Sequence, residues 1–307
     1  MCCPYIKSCF EGHMCSQEYR KKNNVVYEEC SWITQIADDA MFVKNFVMNH
    51  SMRLSIFNSF NSLKLLSIAP TRFASTIVML KRFKQLKKGL QEMEDDVAKA
   101  KFVKNTLLDD KWWDKVDYIL SFTSAIYNVL RRTDTEASSL HLVYEMWDSM
   151  IEKVKNVIYQ YERKEESEGS TFYEVVHSIL IDRWTKSSTP LHCLAHSLNP
   201  SEDSNQVPPH QDMELTRERL KCFKRFFLDV DVRRKVNIEF ANFSDGREGF
   251  DDLDSLNYRG QMDPKAWWLI HGVMLQCFKR FPLSYLRNLV HLHVVKGIGI
   301  HIHLSIL

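Results

Sequence analysis

The chain is predicted to be mainly α-helical, with little β structure. Only 9 Gly and 8 Pro interrupt its 307 residues, too few turn-formers for a many-stranded fold. Apolar residues recur at i, i+4 and i+7 over long spans, the period of a helix facing a core. Thr and Glu spaced three apart, the pattern of a capping box, occur twice where such spans begin.

Each element follows from this pattern. Cys30–Ser62 carries Trp32, Ile36, Ala40, Val43 and Val47 at helical spacing. Ala74–Met93 continues as a basic helix through Lys81, Arg82, Lys84, Lys87 and Lys88. Lys111–Arg132, with Trp112, Val116, Ile119, Leu120 and Phe122, is apolar nearly all round, which predicts a buried helix. Glu136–Arg163 is the clearest helix, with Leu140, Val143, Trp147, Met150, Val154, Val157 and Tyr161 on one stripe. Thr133 with Glu136, and then Thr171 with Glu174, provide the expected capping boxes, and Lys164–Ser170 is a polar turn between the two helices.

Ser197–Asp212 combines Pro200, Pro208 and Pro209 with Ser and Asn, and is the predicted main loop and boundary between lobes. Met213–Leu228 is amphipathic through Leu220, Phe223 and Phe227, and Asp229–Phe243 through Val232, Val236, Phe240 and Phe243. Ser244–Gly260 is acidic and Gly-containing, so a loop is expected. The resulting division is 1–22 as a disordered flank, 23–200 as the helical region, 201–273 as a smaller lobe with its loop, and 274–307 as a disordered tail.

Net charge is +2 with a sequence pI near 8.0, which neither demands nor excludes nucleic acid, since a local basic face needs no large global charge. No uncharged apolar run approaches the roughly 18 residues a membrane span requires, so no membrane partner is expected. Met1-Cys2-Cys3-Pro4 lacks a basic region followed by an apolar one, so no secretory leader is expected. The 8 Cys are therefore read as reduced intracellular thiols. Nothing marks a small-molecule substrate site.

Several clusters invite chemistry and have plainer explanations. Cys9, His13 and Cys15 lack the second, distant ligand pair of a structural zinc site. His291, His293, His301 and His303 would share one face of an extended strand, with nothing to preorganise them. Lys81, Arg82, Lys84, Lys87 and Lys88 form the candidate DNA-binding face, with Lys221, Lys224 and Arg225 as a second basic group. Contacts to phosphates would be salt-sensitive, whereas a solvated helix face is the commoner role. His192, Cys193 and His196 suggest a Cys–His pair but fit core positions. Asp251, Asp252 and Asp254 are read as solvated loop acids. Trp112, Trp113, Trp267 and Trp268 are read as core or interface rings.

Three blocks, taken in order, resemble the plant-type hAT transposase superfamily. Pro70-Thr71-Arg72-Phe73, with Ser75-Thr76 and Met79-Leu80, resembles the family's P-T-R-W-x-S-T-x-x-M-L box, Phe73 replacing the usual Trp. Asp182-Arg183-Trp184, Pro190-Leu191-His192 and Leu198-Asn199-Pro200 resemble its helix-loop block. Asp263-Pro264, Trp267-Trp268 and His271-Gly272 resemble the W-W-x-x-H/Y-G stretch before its dimerisation region. The likeness runs from about Asn23 to Val273, shortened around Met93–Glu94 and Pro200–Ser201.

The resemblance implies the helical insertion and scaffold remnant of an interrupted RNase H-like fold, with nuclear localisation. It also implies three carboxylates holding two divalent ions such as Mg²⁺, about 3.5–4 Å apart, for phosphodiester chemistry. In the family two Asp precede the matched region, and the third ligand is a Glu in a C-A/G-E-R-N-W segment. None has a counterpart here, nor has the family's upstream zinc finger. No catalytic residue, resident metal or other cofactor is therefore assigned.

Both flanks have a further property. Back-translated and read one frame over, Leu289–Gly299 permits Cys-Ser-Ser-Ser-Cys-Gly-Glu-Arg-Asn-Trp, the Glu codon straddling Val295 and Lys296. Met1–Tyr5 likewise permits Cys-Val-Val-His, resembling a family segment found ahead of the Asn23–Cys30 region. The expectation is a truncated, non-catalytic, transposase-derived protein retaining self-association or weak non-specific DNA binding. The alternative is an active metal-dependent DNA transposase. Helices cut from an RNase H-like sheet would expose apolar faces, so association or aggregation is expected.

Overall fold

Helix α1 spans Gln17–Met48 and buries Ile36, Ala40, Val43 and Val47 of the expected stripe, while Trp32 is half-buried and Cys30 takes a buried position instead. The computed structural model of the protein describes residues 17–66, 73–92, 98–133, 140–187, 190–201 and 208–272. Among these every regular element is helical and no strand occurs. The single helix expected over Cys30–Ser62 is two. His50 is extended ahead of α2, Ser51–Phe60, where Asn49, His50 and Ser51 interrupt a good helix former's run.

The described residues fall into two compact units. One takes the described parts of Met1–Leu130 with Ser149–Thr185, the other those of Arg131–Asp148 with Lys186–Gly299. This division differs from the boundary expected at 200/201.

In the first unit, α3 is Phe73–Gln91, α4 is Ala98–Leu108 and α5 is Asp110–Thr133. Ile77, Leu80, Phe83, Leu86 and Leu90 form the buried side of α3. A Cβ at Gly89 would overlap the side-chain amide of Asn61, so glycine permits this approach of α3 to the end of α2. Helix α5 is less enclosed than expected. Lys111, Asp114, Asp117, Ser121 and Asn128 form an exposed ridge, while Trp112, Trp113, Val116, Ile119 and Phe122 are buried. Both indoles donate hydrogen bonds, Trp113 Nε1 to Leu107 O at 2.8 Å and Trp112 Nε1 to Asp39 Oδ2 at 3.3 Å.

Helix α6 spans Val143–Glu162. Val143, Trp147, Met150, Val154 and Ile158 are buried, so the stripe leaves the expected Val157 and Tyr161 for Ile158. The capping positions also differ. Thr133 is the last residue of α5, and Glu136 lies outside the described residues. Helix α7, Thr171–Ser187, is capped by Ser170 rather than Thr171: Tyr173 N donates to Ser170 Oγ at 3.0 Å. The predicted Lys164–Ser170 turn contains a short 3-10 segment, Glu166–Glu168.

The second unit holds α8, Pro190–Ser197, and α9, Met213–Phe226. It continues through α10, Val230–Asp245, α11, Leu253–Tyr258, and α12, Pro264–His271. Its core joins Leu194, Leu198, Cys222, Phe223, Phe227, Val236, Phe240, Phe243, Phe250 and Trp267. Burying each large side chain here contributes about 1.5–3 kcal/mol. The loop expected over Ser244–Gly260 instead includes the end of α10, the buried Phe250 and all of α11. Leu220 is exposed rather than core, and Leu215, Arg219 and Cys222 take the buried face of α9.

Candidate functional site

The basic run lies on α3 with its apolar side buried, which leaves its cations beside the acids and rings of α5. Lys84 Nζ is 2.9 Å from Asp117 Oδ1. Lys81 Nζ lies 4.2 Å above the Tyr127 ring, and Lys87 Nζ lies 5.0 Å above Trp113 and 3.8 Å from Asp110. Among the described residues no ion pair or ring contact engages the side chains of Arg82 or Lys88. The Lys84–Asp117 pair is solvent-exposed on both sides, so it is weak and exchangeable. Among the described residues the run therefore presents two uncommitted cations and three engaged ones.

The resemblance positions are scattered between the units. Pro70, Thr71 and Arg72 lie outside the described residues, and Phe73 is the first residue of α3. On α7, Asp182 is exposed while Arg183 and Trp184 are buried. In the second unit Pro190 opens α8 at the position where a missing N–H costs nothing. Leu191 and Trp268 pack against the core that contains Trp267. Trp267 Nε1 donates to Ser255 O at 3.0 Å, and Trp268 Nε1 to Leu198 O at 2.7 Å. A Cβ at Gly272 would lie 2.9 Å from Trp268 Cε3, so glycine lets the chain leave α12 across that indole. This block is a packed aromatic cluster.

His192, Cys193 and His196 on α8 are buried. Loss of water, followed by the nearby carboxylates Glu214 and Glu218, pushes the Cys193 thiol up to about 12, so it is not a thiolate nucleophile at neutral pH. His196 Nδ1 lies 3.2 Å from His141 O, and its ring packs 5.1 Å from that of Tyr144.

The remaining acids and bases have structural work. Lys221 pairs with Glu218, and Lys224 and Arg225 sit in the last turn of α9, where cations offset the helix dipole. Asp252 caps α11 by accepting from Ser255 N at 2.8 Å, and Asp251 accepts from Gly249 N at 3.1 Å. An open groove of about 500 Å³ is lined by Tyr27, Ser31, Trp32, Thr34, Gln35 and Asp38, a single face of α1. Among the described residues no group of three His, Cys, Asp or Glu is placed to hold a metal ion. Cys9, His13, Cys15 and the four tail histidines lie outside those residues. No helix among the described residues is long and apolar enough to cross a membrane.

Two features escaped the sequence reading. Tyr144 donates its hydroxyl to Asp212 Oδ2 at 3.1 Å, beside Asp148, whose carboxyl is pushed up to about 6 by burial and by Glu214 and Asp212. Arg219 is 5% exposed. Its spacing signals this, because Leu215, Arg219, Cys222 and Phe223 share one stripe of α9. No family model, curated protein or solved structure matches the chain.

Proposed function

We propose that the protein is a non-catalytic relative of plant hAT transposases, acting in the nucleus through protein association with weak, non-specific DNA contact. The observation that carries this reading is in the sequence. The position at which the family's Glu-bearing motif belongs is occupied by Leu289–Gly299, for which permitted codons, read one frame over, spell that motif. Without that Glu, the paired divalent ions needed for phosphodiester cleavage lack one of the family's three carboxylate ligands.

The contacts of α3 favour association over DNA as the main activity, because Lys81, Lys84 and Lys87 are already engaged by α5. Exposed apolar side chains such as Met213, Leu228, Leu253, Leu269 and Ile270 supply surface for association. Size-exclusion chromatography with light scattering, beside filter binding of duplex DNA at low and moderate salt, tests both parts. Oligomers with weak, salt-labile retention are expected. A monomer that retains no DNA at low salt contradicts the reading.

A further inference from the structure

We propose that the protein associates with itself through two unlike patches, the basic tip between α9 and α10 of one copy docking on the acidic α11 end of another. Both patches are built on α10, and both project aliphatic side chains into solvent. At the start of α10, Leu228 is 83% exposed and Val230 68%. Asp229 caps the helix by accepting from Asp231 N and Val232 N, and Arg233 Nη1 donates to Phe227 O at 2.7 Å, so the tip is held in place. Lys221–Lys235 carries six basic and two acidic side chains, net +4. Glu218 pairs with Lys221 and Asp231 with Arg234, which leaves Lys224 and Arg225 without an ion pair among the described residues.

The other end of α10 has the opposite charge. Ser244–Leu256 carries five acidic side chains and one basic, net −4, and its Leu253 and Leu256 are exposed. This segment is tied to the helix that precedes it. Arg247 N donates to Asn242 O at 2.8 Å, Asn242 Nδ2 donates to Glu248 Oε2 at 2.7 Å, and the Phe250 ring meets that of Phe243 edge-on at 5.6 Å. The 16 residues of α10 separate the two patches, about 24 Å at 1.5 Å each. A helix cannot bring its own ends together, so each patch meets its complement only on another copy. Opposite charges around the aliphatic side chains fix which ends pair and reject like ends. Two aliphatic side chains a side fall short of the roughly 20–30 residues of a standard interface, so the assembly is weak and concentration-dependent. This contact rests on the association reading above and gives it a surface.

The test is sedimentation velocity of the full chain over a range of concentrations in low and moderate salt. The wild-type protein is expected to associate reversibly, and less at moderate salt, because exposed charges are screened. Lys224→Glu with Arg225→Glu, and separately Asp245→Lys with Asp254→Lys, should each raise the concentration for half association at least about tenfold. An equimolar mixture of the two variants should associate again, because the unaltered tip of one then meets the unaltered α11 end of the other. Leu228→Ser, at a position 83% exposed, is expected to keep the fold and to weaken association as well. Association equal in wild type and all three variants overturns this contact and leaves the association reading standing. A mixture no more associated than either variant alone also overturns it, as loss without rescue marks a general effect on charge or folding. A wild-type protein that is monomeric at every concentration overturns both and assigns the patches to a different partner.

Discussion

The ring of Tyr161 lies 3.6 Å from that of Tyr118 and within 6° of parallel, although Tyr161 is 50% exposed. Tyr118 in turn stacks on Trp32 at 5.6 Å and meets Phe122 edge-on at 5.5 Å. Tyr161 thus closes one end of a three-ring stack, and its exposure measures only its outer face. Tyr161→Ala should lower stability by about 1 kcal/mol, the scale of one aromatic pair. Tyr161→Phe should retain most of it. Urea denaturation of the three proteins checks this.

Gly89 and Asn61 are matched by shape. Gly89→Ala should cost no more than about 1 kcal/mol net, because its Cβ meets only the far end of the Asn61 side chain, which can turn away at the loss of its bond to Phe57 O, against a helix-propensity gain of up to about 1 kcal/mol. Asn61→Ala removes the obstructing amide, so the double variant should recover most of the loss. The double-mutant cycle reads the coupling directly.

Asp148 sets a pH dependence. Its folded carboxyl titrates at about 6, above its ordinary 3.8. The folded state therefore holds the proton more tightly, and this contribution to stability is full below about pH 4 and lost as pH rises through 6. Because the residue is exposed by area, solvent screening holds the effect below roughly 1 kcal/mol. Asp148→Asn should flatten the change in Tm between pH 4 and 7. An unchanged profile would contradict the assignment.

On α3, Arg82 and Lys88 should contribute most of any DNA retention. Arg82→Ala with Lys88→Ala is expected to reduce low-salt filter retention more than Lys81→Ala with Lys87→Ala, whose cations already face Tyr127 and Trp113. Equal losses from the two pairs would contradict this ordering.

The legible parts of the fold were those where one period dominates. Ile36, Ala40, Val43 and Val47 declare their buried stripe by spacing alone, and Val236, Phe240 and Phe243 do the same on α10. Caps were less legible, since Ser170 and Thr171 carry the same hydroxyl chemistry and only the point where the chain turns helical separates them. Ser244–Gly260 misled because its Asp and Gly residues suit loops, while Asp252 serves as a cap for the short α11. The candidate site was legible as residue types only. Neither the engagement of Lys84 by Asp117 nor that of Lys81 by Tyr127 can be read without knowing which helices meet.

The most direct measurement is an assay of the purified chain for nicking, cleavage or strand transfer of DNA in Mg²⁺ or Mn²⁺. No activity above a metal-free control is predicted in either ion. Cleavage that requires the ion and co-purifies with the chain would contradict the central claim.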